Sequence, residues 1–306
     1  MPANIKTSDP QHTGNLQRAA SYASLAIALI LVTAKLWAWL ETGSVSVLSS
    51  LVDSFLDVLA AGITVIAVRI ALMPADSEHR FGHGKAEGLA ALAQSVIITC
   101  SAIYVLLEAI QRLTAPQPVS NPESGIAVML FSIVMTMGLL TFQRSVVRRT
   151  GSLAIAADAM HYRSDLLVSL SVAVAIPLSA WTNWTLLDPL TGIGIAAYIL
   201  WNTYDIAVGA LDVLLDRELP IEARQRIEQI ALEHPNVRGI HDLRTRSGGS
   251  NYIIQFHLEL DPDTVLLNTH LILDDVEARI RAEFANCELI VHADPLGFQE
   301  HRDSFD

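Results

Sequence analysis

Charge is scarce in this chain of 306 residues: only 17% are Asp, Glu, Lys or Arg and 6% are aromatic, against 51% hydrophobic. Ordinary soluble domains seldom have so apolar a composition. With a mean hydropathy of +0.39, it points to a membrane protein rather than a cytosolic enzyme. Cysteine is nearly absent. Cys100 lies in an apolar segment and Cys287 near the end of a polar tail, so no disulfide scaffold is implied. Basic residues are also in deficit, 20 against 32 acidic, and the formal charge is −12. Residues 214–306 hold 9 basic and 18 acidic residues, a balance that repels phosphate backbones and argues against nucleic acid as a partner. Two signatures are missing. Gly82-His83-Gly84-Lys85 lacks the spacing of a phosphate loop, so ATP has no visible place, and no His-Glu-x-x-His is present.

What is abundant is the long apolar run. Six spans are predicted at about 20–40, 45–72, 87–113, 124–143, 153–180 and 187–213, each long enough to cross ~30 Å of hydrocarbon. The first is too long for a signal-peptide core and has no small-residue cleavage site after it, so it is expected to be retained. An even number of spans puts both termini on one side. Lys6, Arg18, Arg69, Arg80, Lys85, Arg144, Arg148 and Arg149 fall on that side and Arg112 on the other, which predicts cytoplasmic termini. Trp37, Trp39, Trp181 and Trp184 collect at the predicted outer ends as an interfacial belt. Lys35 is read as snorkelling from the outer part of the first span.

The pattern changes after Leu215. Helical periodicity over 221–233, strands over 237–246 and 251–260 around Ser247-Gly248-Gly249-Ser250, a helix over 264–285 and a strand over 288–294 predict an αββαβ order. That is an α+β, ferredoxin-like domain with helices on one face of a three-stranded sheet. The expected division is a cytosolic segment 1–19, a six-helix membrane domain 20–213, a cytosolic metal-binding domain 214–296 and a tail 297–306.

Three clusters carry metal-ligand chemistry. Asp53 and Asp57 in the second span, and His161 and Asp165 in the fifth, are each at i, i+4 and so on one helical face. An ionised Asp mid-membrane costs roughly 2.5–3.5 kcal/mol, so two of them need a partner. Packed side by side, the two helices would offer three carboxylates and an imidazole, an N/O site for a divalent ion. The blander reading is a hydrogen-bonded polar cluster or a metal-free proton relay. Arg163, at i+2 from His161, points away from that face. Glu108, Asp188, Asp205 and Asp212 read mostly as hydrated span ends. Asp76, His79 and His83 in the loop between spans 2 and 3 form a more exposed trio, nearly as well read as a solvated polar loop. In the tail, which holds six of the ten histidines, His292 and Asp294 share one face of a strand. His241 and His257 lie on neighbouring strands and His270 on the second helix, a set able to hold two ions if the Asp bridges them. His12, His234 and His301 look bland.

Asp-x-x-x-Asp, His-x-x-x-Asp, Phe-Gly-His-Gly-Lys-Ala-Glu and His-Asp-Leu-Arg-Thr-Arg together resemble the cation diffusion facilitators, and among them the bacterial exporters of zinc and other divalent metals. The resemblance covers about residues 15–296. It implies a homodimer of six-helix membrane domains with cytosolic αββαβ domains and assigns the three clusters. Asp53, Asp57, His161 and Asp165 match a mid-membrane transport site, and Asp76, His79 and His83 a loop site. His241, His257, His270, His292 and Asp294 match a binuclear site tying the two tails together. Lys85 and Asp216 match an interlocking salt bridge at the dimer hinge. Arg163 stands where the family usually has a neutral residue.

The function expected is proton-coupled antiport, not enzymatic catalysis: efflux of Zn²⁺, Cd²⁺ or Fe²⁺ from the cytoplasm across a bacterial inner membrane. Zn²⁺ would be both cargo and regulatory ion, protons the coupling ion, with no organic cofactor. An imidazole must be neutral to bind metal, and its ordinary pKa of ~6.5 puts proton competition in the physiological range. The alternatives are a membrane-anchored metal sensor or store, which would not explain acids placed mid-membrane, and an intramembrane metalloenzyme, which would need an open coordination position and a base.

Overall fold

A computed structural model of the chain describes residues 10–42, 45–114, 123–182, 186–249, 251–284 and 286–297. The chain divides into two compact units, with the break between Leu214 and Leu215.

The first unit is a helical transmembrane-type domain of six long helices: α1 (Pro10–Thr42), α2 (Val45–Ala71), α3 (Ala86–Thr114), α4 (Glu123–Thr150), α5 (Leu153–Thr182) and α6 (Leu187–Leu214). Four of them contain apolar stretches long enough to cross a bilayer among the described residues, at Gln11–Glu41, Ser50–Ala71, Ala86–Gln111 and Leu130–Thr150. α5 and α6, at 30 and 28 residues, are of matching length. α1 begins at Pro10, ten residues before the span expected at about 20–40. Its polar first turns are held by tertiary contacts, since Gln17 is buried and donates to Glu87 on α3 at 3.2 Å.

The side-chain distribution is that of a protein dissolved in lipid. The buried positions hold small residues, including Ala60, Ala61, Ala91, Ala102, Ala157 and Ala210, while Leu59, Ile66, Leu89, Val134 and Trp201 point outward. Lipid gives helices no hydrophobic reason to associate, so close backbone approach and polar contacts must hold them. α3 and α6 illustrate this. A Cβ on Gly192 would stand 3.2 Å from Ala109, and one on Gly88 3.4 Å from the Ala210 carbonyl. Trp37 is exposed on α1 as an interfacial residue should be; the side chains of Trp181 and Trp184 lie outside the described residues.

The second unit contains α7 (Ile221–Leu232), β1 (Val237–Ser247), β2 (Tyr252–Leu260), α8 (Leu266–Glu283) and β3 (Cys287–Pro295), the αββαβ order expected from the sequence. β2 is central, antiparallel to β1 and parallel to β3. The period of two decides which face is which. Ile254, Phe256, Leu258 and Leu260 point into a core with Ile227 and Ile230 of α7 and Ile272, Val276 and Ile280 of α8. Gln255, His257 and Glu259, which alternate with them, are therefore turned to the face that the helices leave bare. At the start of this unit Glu218 accepts from the backbone N–H of Thr245 at 2.9 Å and from its hydroxyl.

Candidate metal centres

The first centre is assembled by helical periodicity. Asp57 on α2, and His161 and Asp165 one turn apart on α5, present ligand atoms that all lie within 4.8 Å of one another. His161 Nε2 is 3.1 Å from Asp57 Oδ1 and 3.7 Å from Asp165 Oδ2. The imidazole is buried and Asp57 largely so, whereas the Asp165 side chain is 45% exposed, leaving one open flank. Asp53 sits one turn before Asp57 on the same helix, is exposed, and is not among those three meeting side chains. Two carboxylates and an imidazole, with a third carboxylate one turn away, form a hard-to-borderline donor set suited to a divalent transition ion. Arg163 is turned away, its guanidinium 5.2 Å from the ring centroid of Tyr198 on α6. This cation–π contact gives a mid-helix charge a partner that the sequence did not reveal.

Two neighbours of this centre escaped the sequence reading. Asp158, three residues before His161 and wholly buried, accepts from Gln143 of α4 at 2.6 Å, Gln94 of α3 at 3.3 Å and Thr64 of α2 at 3.4 Å. One carboxylate thus ties α5 to three other helices beside the ligands. Its i−3 spacing to His161 was a readable signal; the three donors, far away in sequence, were not. Lys35 is the second. It does not snorkel: its ammonium donates to Ser54 Oγ at 2.6 Å and to the Ser50 carbonyl at 3.2 Å, both on α2. A second buried acid, Glu87, accepts from the Leu153 N–H at 2.8 Å and so caps the start of the ligand-bearing helix α5.

The second centre lies in the connection after α2. Asp76 Oδ1 accepts the backbone N–H groups of Glu78 at 2.9 Å and His79 at 2.6 Å, and the His79 N–H foremost holds this carboxyl below its ordinary range. His79 Nδ1 stands 3.3 Å from Asp76 Oδ1 and His83 Nε2 3.4 Å from Oδ2. The two rings are 4.5 Å apart. Gly82, with φ 81°, takes the left-handed conformation that returns the chain and sets His83 against the trio. His79 is 55% exposed but His83 only 9%, so this is a half-built pocket rather than a freely solvated loop.

The third centre is set by strand register. His241 pairs with His257 and His257 with His292, in a row across the sheet. Asp294, itself buried, sits beneath: Oδ2 is 2.8 Å from His257 Nδ1 and 3.2 Å from His241 Nε2, and Oδ1 is 3.2 Å from His292 Nε2. His241, His257 and Asp294 form the compact group. Glu259 adds an unanticipated carboxylate 3.3 Å from His241 Nδ1. His270 stands apart, exposed on α8 and 3.5 Å from Asp274 on its own helix. His234, read as bland, is a buried residue 3.5 Å from Asp275.

The remaining expected positions join none of these groups among the described residues. Lys85 donates to the Leu214 carbonyl at 3.4 Å, and Asp216, at φ 57°, accepts from Arg246 at 3.2 Å. Glu108, Asp205 and Asp212 are half-buried or exposed; the side chain of Asp188 and all of His301 lie outside the described residues.

Comparison with known proteins matches residues 21–215 to the cation efflux transmembrane domain and residues 219–296 to the cation efflux protein cytoplasmic domain. The chain is 47% identical over 279 residues to the cation-efflux pump FieF of Shewanella oneidensis, covering 91% of this chain and 94% of that protein. It is 45% identical over 285 residues to FieF of Klebsiella pneumoniae, with 93% and 95% covered. Among solved structures, MamM CTD in a nickel form and in a cadmium form are each 28% identical, with TM-scores of 0.23 and 0.24, covering 24% of this chain and 95% of theirs.

Proposed function

This chain belongs to the cation efflux family, and on that premise we propose that it exports Zn²⁺, with Cd²⁺ and Fe²⁺ as further substrates, in exchange for protons. The observation that carries the proposal is the meeting of Asp57, His161 and Asp165 within 4.8 Å on two long helices of the transmembrane-type domain. Asp53, one turn further along α2, completes the ligand set when cargo enters. Carboxylate and imidazole must shed protons to coordinate a metal, so occupation by metal and by protons exclude each other at the same atoms. That exclusion is the coupling: protons arriving from the far side displace the cargo. Helices rocking about a fixed mid-membrane site would expose it to each side in turn. No group in this centre needs to act as nucleophile or base; its task is to bind and release.

The loop trio receives metal on the cytoplasmic side, in a pocket that His83 half closes. The sheet centre binds resident regulatory ions through His241, His257, His292 and Asp294, whose two oxygens face different imidazoles and so favour bridging. His270 joins when a second copy of the chain packs against the sheet. In that homodimer, Lys85 and Asp216 form the hinge salt bridge. The division at about residues 1–19, 20–213, 214–296 and 297–306, with both termini in the cytoplasm and the helices in a bacterial inner membrane, completes the reading.

The test is uptake of Zn²⁺ into proteoliposomes carrying an internal zinc dye, with and without a pH gradient, comparing wild type with Asp57→Ala. Gradient-dependent flux lost in the variant is expected. A folded wild type that binds metal but carries none would overturn the transport reading, and flux indifferent to the gradient would overturn the proton coupling.

A further inference from the structure

Lys35 occupies a position that a helix–helix hydrogen bond alone does not explain. A neutral donor would satisfy Ser54 and the Ser50 carbonyl equally well, and a half-buried ammonium on a membrane helix is costly unless charge balances it. The balance is close at hand. Ser54 is fully buried and lies between Asp53 and Asp57 in the chain, so the hydroxyl that anchors Lys35 shares its helix turn with two ligands.

The charge count then becomes informative. Three ionised carboxylates and a neutral imidazole carry three negative charges, and a divalent ion leaves one uncompensated in a low-dielectric setting. With the tethered ammonium included, the four ligands, the ion and Lys35 sum to zero. A monovalent ion would leave the sum negative and a trivalent ion positive, and either state costs more to hold within a bilayer. We propose that Lys35 is a built-in counter-cation of the transport site, matching the loaded site to a divalent cargo and keeping its affinity low enough for release. The proposal rests on the transport reading above and names a residue that tunes it. Lys35 touches no ligand position directly and acts through its fixed charge, so it is a positioning and selectivity residue rather than a ligand.

The experiment uses the full chain. Zn²⁺ affinity is measured by calorimetry as the component of binding that Asp57→Ala removes, and KM and maximal flux are measured in proteoliposomes, for wild type, Lys35→Gln and Lys35→Arg. Gln keeps a donor for Ser54 without the charge; Arg keeps the charge. Lys35→Gln is expected to bind Zn²⁺ about tenfold more tightly, lower KM and lower maximal flux as release slows, while Lys35→Arg stays near wild type. Ser54→Ala, which loosens the tether and leaves the charge, is expected to shift affinity the same way by a smaller factor, and it serves if Lys35→Gln fails to fold. Unchanged or weaker binding in Lys35→Gln and Ser54→Ala, or a Lys35→Arg variant that behaves like Lys35→Gln, overturns the proposal. Loss of flux in wild type itself would instead strike the transport reading, and the calorimetric comparison would still decide the role of Lys35.

Discussion

The helix-borne centre and the sheet-borne centre use the same donors, Asp and His, on scaffolds with different mechanical properties. Asp57, His161 and Asp165 meet because two helices pack side by side, and what holds those helices is small residues, polar contacts and the Asp158 junction rather than a continuous ladder. Small shifts of one helix against another change the meeting point. His241, His257 and His292 stand in a row because backbone hydrogen bonds lock the register of three strands. A slip there would turn every side chain to the opposite face, so the centre has one geometry or none. The lesson is functional. On the proposed reading, the transport site lies on helices that can rock and so open it to two sides, and the regulatory site on a sheet whose register holds it fixed.

The sharpest way to break this comparison is to remove one imidazole from each centre. His161→Ala should lower Zn²⁺ flux in proteoliposomes by at least about a hundredfold, since loss even of an outer partner of a metal ligand costs 10- to 100-fold. His257→Ala should retain most of the flux at saturating metal. Equal losses would mean that the sheet centre is part of the transport path.

Metal should also stabilise the two regions unequally. Zn²⁺ at about a hundred times its dissociation constant should raise the stability of the C-terminal unit by about 2.7 kcal/mol, read as a higher unfolding midpoint of the full chain. His257→Ala should abolish that shift, and His161→Ala should leave it intact.

A smaller effect is expected at Asp158. Asp158→Ala takes from the buried Gln143 its acceptor, while Gln94 and Thr64 keep the Ala60 carbonyl and their mutual bond, at a cost of about 1–3 kcal/mol, visible as a lower unfolding midpoint of the membrane domain in detergent. Because the junction seats α5, flux should fall as well. A normal midpoint would show that Gln143 finds another acceptor.

The smallest effect belongs to the surface of the C-terminal unit, where Arg226 of α7 grips Glu283 of α8 through bonds of 2.8–3.0 Å. The guanidinium holds the Glu283 carboxyl below its ordinary range. A depressed folded-state pKa contributes stability that is present above the ordinary carboxylate range and is lost as pH falls through the depressed value. Glu283→Gln should therefore lower the unfolding midpoint by about a degree or less at pH 7, since exposed pairs contribute little, and the difference from wild type should vanish as pH falls below the ordinary carboxylate range.

The legible parts of the molecule were those written as a period or a composition. Hydropathy showed the long helices, alternation showed the strands, and i, i+4 spacing put His161 with Asp165 on one face. The loop trio was visible because Asp76, His79 and His83 are neighbours in the chain. Lys35 was misread, because the sequence records a lysine near a span end but not the two serine-bearing turns of α2 that receive it. Arg163 stood without explanation until Tyr198 was found beside it. Glu87 and Asp158 passed unnoticed because their partners lie 15 to 94 residues away.

The sequence by itself determined that this chain forms apolar helices followed by an αββαβ domain, and that its acids and histidines sit on particular faces of those elements, because local periodicity is a property of the backbone and the order of residues. Which faces meet was decided only by the tertiary structure. The meeting of Asp57 with His161, the tether of Lys35 to Ser54, the seating of Asp158 and the alignment of three histidines over Asp294 depend on packing and register between distant segments, whose energies are pairwise and cannot be read from one strand of the pair.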